Sequence, residues 1–234
     1  MNSDSLSLRL GAVARYIKGK MLADIGSDHA YLPCYAIRNG KVVRAIAGEV
    51  VVGPYDSARK EVALQALDPF IDVRLGSGFS VLSEADAVDC VTICGMGGGL
   101  IAQILNEGQH QLRGHERLIL QPNLAGELVR KFLDENGWGI IAEEIILEDE
   151  KIYEIIVAEK MVKKAPLSAL EILCGPKLIN VRNDVFEIKW KRELAHFRRI
   201  LHDIDASSQE NARNEERKRE LQEKIDLIES LRLE

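Results

Sequence analysis

Residues 138–158 read WGIIAEEIILEDEKIYEIIVA: two apolar runs, Trp138 to Leu147 and Ile152 to Ala158, separated only by Glu148-Asp149-Glu150-Lys151. Four residues cannot hold the crossover helix that neighbouring parallel strands require, so the runs form an antiparallel hairpin. The chain before it is patterned differently. Strand-like runs recur at Met21 to Asp24, Arg44 to Glu49, Ile71 to Leu75, Val88 to Cys94 and Arg117 to Leu120, with helix signals around them. Leu6, Leu10, Val13 and Ile17 make an apolar stripe ahead of the first strand. Gly53-Pro54 places proline at a first helical position, with Ala58, Val62 and Ala66 following on one face, and a last helix runs from Leu124 to Glu135 before Gly137. This alternation implies an α/β fold, a parallel sheet with helices on both faces.

Five parallel strands finished by an antiparallel hairpin make the Rossmann-like sheet expected of a class I S-adenosylmethionine (SAM) methyltransferase; a dinucleotide dehydrogenase would continue with another βαβ unit. After Lys160 the strand signals stop. Phe186, Trp190, Leu194, Phe197, Leu201 and Ile204 recur at helical spacing with a packed seam. A polar break, Ala206-Ser207-Ser208-Gln209, precedes a second run with Leu221, Ile225, Ile228 and Leu231. The expected organisation is a SAM-type domain over 1–160 and a helical, coiled-coil hairpin domain over 161–234.

The 234 residues are 46% apolar and 29% charged, an ordinary globular composition that excludes a disordered or collagen-like chain. No apolar run is long enough to span a membrane, and the start lacks a basic segment followed by an apolar one, so a cytoplasmic protein without a membrane partner is expected. Cys34, Cys90, Cys94 and Cys174 show no CxxC spacing and are expected as reduced thiols. No Walker motif, HExxH or metal-ligand cluster stands out, so no metal is expected. The net charge of −6 is unevenly placed: residues 1–160 hold 16 Lys+Arg against 23 Asp+Glu, whereas 161–234 hold 15 against 14. Between Arg182 and Arg199 six cations face three carboxylates, a local basic stripe able to bind phosphate on an acidic whole. Lys189, Arg192 and Arg199 flank the apolar seam and are the expected RNA contacts.

In such a sheet, ligands bind beyond the carboxyl ends of the strands. The first strand ends in Asp24-Ile25-Gly26-Ser27-Asp28-His29-Ala30-Tyr31-Leu32-Pro33. Gly26 lets backbone approach a ligand, but Asp28 stands where GxGxxG has its second glycine. A pyrophosphate would meet a like charge there, whereas an ammonium or sulfonium would be welcome. The alternative is that Asp28 caps the next helix. Glu49 ends the second strand 23 positions after Gly26, where a carboxylate grips a ribose diol. Gly76-Ser77-Gly78-Phe79 would lie beside an adenine, and Cys94-Gly95-Met96-Gly97-Gly98-Gly99 lets backbone approach a ligand and opens a helix at Leu100. Gln121-Pro122-Asn123 adds polar groups at the same edge, although Asn123 can equally cap its helix.

Ala23 to Pro33 (ADIGSDHAYLP), with Gly48-Glu49, Gly95 to Gly98 (GMGG) and Leu120 to Asn123 (LQPN), resembles the bacterial TrmK family, SAM-dependent tRNA (adenine-N1)-methyltransferases acting on adenine 22. The resemblance spans about residues 5–160, and the helical hairpin fits that family's C-terminal extension. It implies SAM as cofactor, tRNA as substrate, and Arg9, Asp24, Gly26, Ser27, Asp28, Glu49, Ser77, Gly78 and Gly95 around SAM. Asp28, His29 and Tyr31 would face the target base as the catalytic group. Serine at position 77 replaces the family's aspartate, and its hydroxyl can still accept a hydrogen bond from the adenine amino group. Two other readings are a non-catalytic RNA-binding protein with a SAM-type fold and a nucleotide-cofactor oxidoreductase. A monomer or weak dimer is expected.

Overall fold

The computed structural model describes residues 5–162, 165–206 and 212–233; positions 207–209 of the polar break lie outside the described residues. The chain divides into two compact units, Met1–Pro166 and Leu167–Glu234. The first unit runs α1 (Leu8–Tyr16), β1 (Met21–Ile25), α2 (Tyr31–Arg38), β2 (Arg44–Glu49), α3 (Val52–Leu64), β3 (Ile71–Leu75), a 3-10 turn at Gly78–Val81, and β4 (Cys90–Gly97). It continues through α4 (Gly98–Gly108), a second 3-10 turn at Gln109–Gln111, β5 (Arg117–Leu124), α5 (Gly126–Glu135), β6 (Trp138–Glu148) and β7 (Lys151–Lys160). The seven strands form one sheet in the order β3-β2-β1-β4-β5-β7-β6. Strands β1 to β5 are parallel, and β7 runs antiparallel between β5 and β6. The strand order therefore reverses between β1 and β4, which opens a crevice at their carboxyl ends. Leu22, Ala47, Val91, Ile93, Leu118 and Ile119 are completely enclosed, as central strands covered on both faces demand.

Several element boundaries differ from the sequence expectation, each for a local reason. The β6–β7 turn is only Asp149-Glu150, both with positive φ (48° and 64°), the backbone twist that matches a two-residue hairpin. Helix α3 begins at Val52, so Pro54 is its third residue, still within the first turn where a missing N–H costs nothing. It ends at Leu64; Ala66 turns left-handed (φ 54°), and Leu67 fills the buried place expected for Ala66. Pairing between β4 and β5 persists to Gly97 and Leu124, so α4 opens at Gly98 rather than Leu100 and α5 at Gly126 rather than Leu124.

Wholly buried Arg130 of α5 reaches Glu143 of β6 (2.7 Å) and Glu154 of β7 (3.0 Å), tying that helix to the hairpin. The two adjacent carboxylates hold its guanidinium above the ordinary arginine range despite burial. Burial also pushes the Cys34 and Cys90 thiols up to about 12 and about 11, so both are inert.

The second unit comprises α6 (Ala169–Cys174), α7 (Leu178–Val181), α8 (Asp184–Ala206) and α9 (Ala212–Ser230). Helix α6 starts in a reciprocal capping box between Ser168 and Glu171. Phe186 and Trp190 of α8 and Leu221, Ile225 and Ile228 of α9 are buried, whereas Leu194, Phe197, Leu201 and Ile204 are half-buried. Arg198 pairs with Glu229 (2.6 Å) and Lys218 with Asp205 (2.7 Å), so α8 and α9 run antiparallel.

Candidate functional site

A cavity of about 400 Å³ opens where the sheet order reverses. Of the residues singled out in the sequence, Arg9, Asp24, Gly26, Ser27, Asp28, His29, Tyr31, Glu49 and Gly95 line it together. Ser77 and Gly78 do not: Ser77 is exposed and precedes the 3-10 turn, to which it gives its carbonyl as acceptor for the Ser80 N–H (3.0 Å).

The β1 loop is shaped by its backbone. The N–H groups of Gly26 and Ser27 both donate to the Gly48 carbonyl (2.9 and 3.1 Å), binding the loop to the end of β2. Gly26 has φ 73°, a conformation that favours glycine, and a Cβ there would fall 2.1 Å from the movable Met96 Cε. Asp28 and Ala30 are left-handed without being glycine (φ 56° and 54°), a conformation that costs energy and persists only where its surroundings enforce it. Helix α2 is capped by no side chain, so Asp28 is not a capping residue; its N–H donates to Glu49 Oε1 and its carboxylate is 69% exposed. Tyr31 opens α2, and its ring stacks with His29 at 5.1 Å between centroids and 16° between planes.

Two buried carboxylates lie beneath this loop. Asp24 accepts from the Thr92 hydroxyl of β4 (2.5 Å) and the Ser27 hydroxyl (2.6 Å). Burial raises its pKa, and the two hydroxyls offset part of that rise. Burial likewise raises Glu49, opposed by the Asp28 N–H and reinforced by the nearby Asp24 charge. A carboxylate has about four acceptor positions, so Glu49 keeps capacity for a ligand diol. Across the cavity, Glu148 at the end of β6 accepts from the N–H groups of Leu8 and Arg9, and the Arg9 guanidinium lies 5.4 Å from the Tyr153 ring centroid.

Thr92, Met96 and Tyr153 escaped the sequence reading. Thr92 hides inside an apolar strand, Met96 owes its position to an irregularity in β4, and Tyr153 becomes part of the site only because β7 runs antiparallel. Asn123 lines the cavity and caps nothing: Ala125 occupies the N-cap position of α5, and Asn123 donates to the Gly95 carbonyl (2.8 Å). In the second unit Arg192 and Arg199 are exposed, Lys189 lies 4.7 Å from the Trp190 ring centroid, and Arg182 and Arg198 are engaged by Glu187 and Glu229. Among the described residues no cluster of three or more metal-ligating side chains occurs.

The model for the family TrmK, tRNA (adenine(22)-N(1))-methyltransferase, matches residues 22–230. The tRNA (adenine(22)-N(1))-methyltransferase of Bacillus subtilis is 43% identical over 97% of both chains. A Streptococcus pneumoniae structure, described as a putative tRNA (m1A22) methyltransferase in complex with S-adenosyl-L-methionine, superposes with a TM-score of 0.86 at 41% identity over 97% of this chain and 99% of that one. TrmK of M. capricolum in complex with S-adenosyl-homocysteine gives 0.83 at 31% identity over 96% of each.

Proposed function

The chain belongs to the TrmK family of tRNA (adenine(22)-N(1))-methyltransferases, and from that premise we propose that the cavity at the strand-order reversal holds both SAM and the target base. The protein is a SAM-dependent methyltransferase that methylates N1 of adenine 22 in tRNA. Nothing supports a non-catalytic RNA-binding protein or an oxidoreductase. The observation that carries the assignment of the site is the pair of buried carboxylates, Asp24 and Glu49, on adjacent strands beneath a glycine turn.

The lining fits the cofactor. Asp24, Asp28 and Glu49 face one cation, Arg9, an arrangement suited to a ligand with an ammonium, a sulfonium and a single carboxylate. Glu49 holds the ribose diol, Arg9 takes the carboxylate, and Asp24 and Asp28 face the cationic groups, with Gly26, Ser27 and Gly95 supplying close backbone. Ser77 and Gly78 lie outside the cavity lining and are assigned no cofactor contact. SAM, when bound, supplies an electrophilic methyl group.

Adenine N1 carries an in-plane lone pair, so no base has to remove a proton first. The chain's task is orientation and charge stabilisation. The stacked His29–Tyr31 pair offers a face to the base, and exposed Asp28 offers a carboxylate to the cationic methylated ring. Rotating the base out of the folded tRNA costs a few kcal/mol, to be offset by contacts elsewhere. Lys189, Arg192 and Arg199 supply phosphate contacts, so residues 161–234 serve as the tRNA-gripping part and residues 1–160 as the catalytic part. No helix of the described residues is long and apolar enough to cross a membrane. The protein works in the cytoplasm, with its tRNA, as a monomer or weak dimer. Incubation with unmodified tRNA and methyl-labelled SAM, followed by mapping of the modified nucleotide, tests the site: label at adenine 22 that Tyr31→Ala or Asp28→Ala abolishes supports it, and full labelling by both variants overturns it.

A further inference from the structure

The β4–β5 register skips Gly95: Cys94 faces Gln121 and Met96 faces Pro122, which has no N–H to give. Gly95 is therefore a bulge (φ 77°) with no residue of β5 opposite it, and side chains hold its peptide groups instead. Its N–H donates to Gln121 Oε1 (3.0 Å), and its carbonyl accepts from Asn123 Nδ2 (2.8 Å). Gln121 Nε2 donates to Asn123 Oδ1 (3.2 Å), closing a ring of three bonds. The same Oε1 accepts from Arg9 Nη1, and Gln121 is completely buried. Met96, the next residue, seats its methyl group against Gly26.

We propose that Gln121 is a positioning residue for methyl transfer: one buried amide fixes Arg9 on one wall of the cavity and the Gly95–Met96 bulge on another, keeping cofactor and base aligned. The proposal rests on the cavity being the SAM site. The amide is well matched to this task because it alone accepts two donors on one atom while donating from the other. A carboxylate in its place would keep the two acceptor bonds but oppose Asn123 Oδ1. If Asn123 then reversed its amide, its oxygen would face the Gly95 carbonyl. Either way the bulge loses a tie.

The test uses the full chain with tRNA and SAM, measuring kcat, the KM for SAM and thermal melting for Gln121→Leu, Gln121→Glu and Asn123→Ala. Gln121→Leu should lower kcat on the order of 10²-fold, the scale of a misplaced reactant, with a smaller change in KM. For Gln121→Glu, kcat should fall as the introduced carboxyl ionises and climb back toward wild type as pH is lowered, an inflection absent from wild type. A purely structural amide would change melting without that pH-dependent recovery. A folded Gln121→Leu with wild-type kcat, or a Gln121→Glu pH profile parallel to wild type, overturns the proposal. If neither Gln121 variant folds, exposed Asn123→Ala decides: lowered kcat with retained KM supports it and wild-type kcat overturns it. A wild-type chain that binds no SAM in this cavity would instead refute the assignment of the site.

Discussion

In residues 1–166, Asp24, Glu49, Arg130, Glu143 and Glu154 are buried, whereas in residues 167–234 the Arg198–Glu229 pair keeps its side chains 58% and 48% exposed. Interior charges sit where solvent cannot screen them, so their positions are enforced by named partners and each is costly to disturb. Charges on the helical hairpin are screened and exchangeable, which suits attraction to a phosphate backbone more than exact placement. On the proposed function, one region specifies and the other attracts.

The sharpest way to break this contrast is Arg130→Ala, which strands two buried carboxylates and should cost about 3–5 kcal/mol in urea unfolding. Next, Asp28→Ala or Tyr31→Ala should lower turnover on the order of 10²-fold, well beyond any change in SAM affinity, because on the proposed reading these groups act on the base more than on the cofactor. Near-normal turnover in both would reduce the β1 loop to a structural role. Third, Glu49→Ala should weaken SAM binding by about 1.5–3 kcal/mol with the fold intact. Its pH dependence follows from the raised pKa. Between the unfolded and the raised folded values the native carboxyl holds more protons than the unfolded one, so ligand-free stability falls as pH rises through that window. Binding of the cofactor needs the ionised form and strengthens over the same window; calorimetry and melting should therefore show opposite slopes. Fourth, replacing Lys189, Arg192 and Arg199 by glutamate should reduce the slope of log affinity for tRNA against log salt by roughly 0.7–0.9 per phosphate contact, leaving SAM affinity unchanged. An unchanged slope would remove the stripe from the interface. Smallest, Arg198→Ala should cost less than about 1 kcal/mol in unfolding; a cost equal to that of Arg130→Ala would abolish the distinction between the two regions.

The same division explains what the sequence could show. Strand cores announced themselves as apolar runs, and the shortness of the Glu148–Lys151 link disclosed the hairpin, because both depend on neighbours along the chain. Asp24, Gly26, Asp28 and Glu49 were legible as strand-end residues at suggestive spacing. The bulge at Gly95 and the inward turn of Tyr153 were not, since each is decided by which strands become neighbours. Helices α6 and α7 are too short for periodicity to register, although Ser168-x-x-Glu171 carried a capping signal that could have found the first. Ser77 was chosen by its place after β3, but the 3-10 turn leaves it exposed and outside the cavity lining.

Arg9 is made early yet finds its partners late. Its guanidinium waits for Gln121, 112 residues on, and its backbone for Glu148, 139 residues on. At the ~5–20 residues per second of ribosomal synthesis, the second interval lasts about 7–28 s. The Rossmann-like strands can emerge and begin to pair during that time, but the wall of the cavity that α1 contributes cannot be built. The hairpin that closes the sheet is thus also the timing element of the site: a nascent chain released before β6 and β7 would carry the glycine turn, both buried carboxylates and Gln121, with the backbone of Arg9 still lacking its anchor on Glu148.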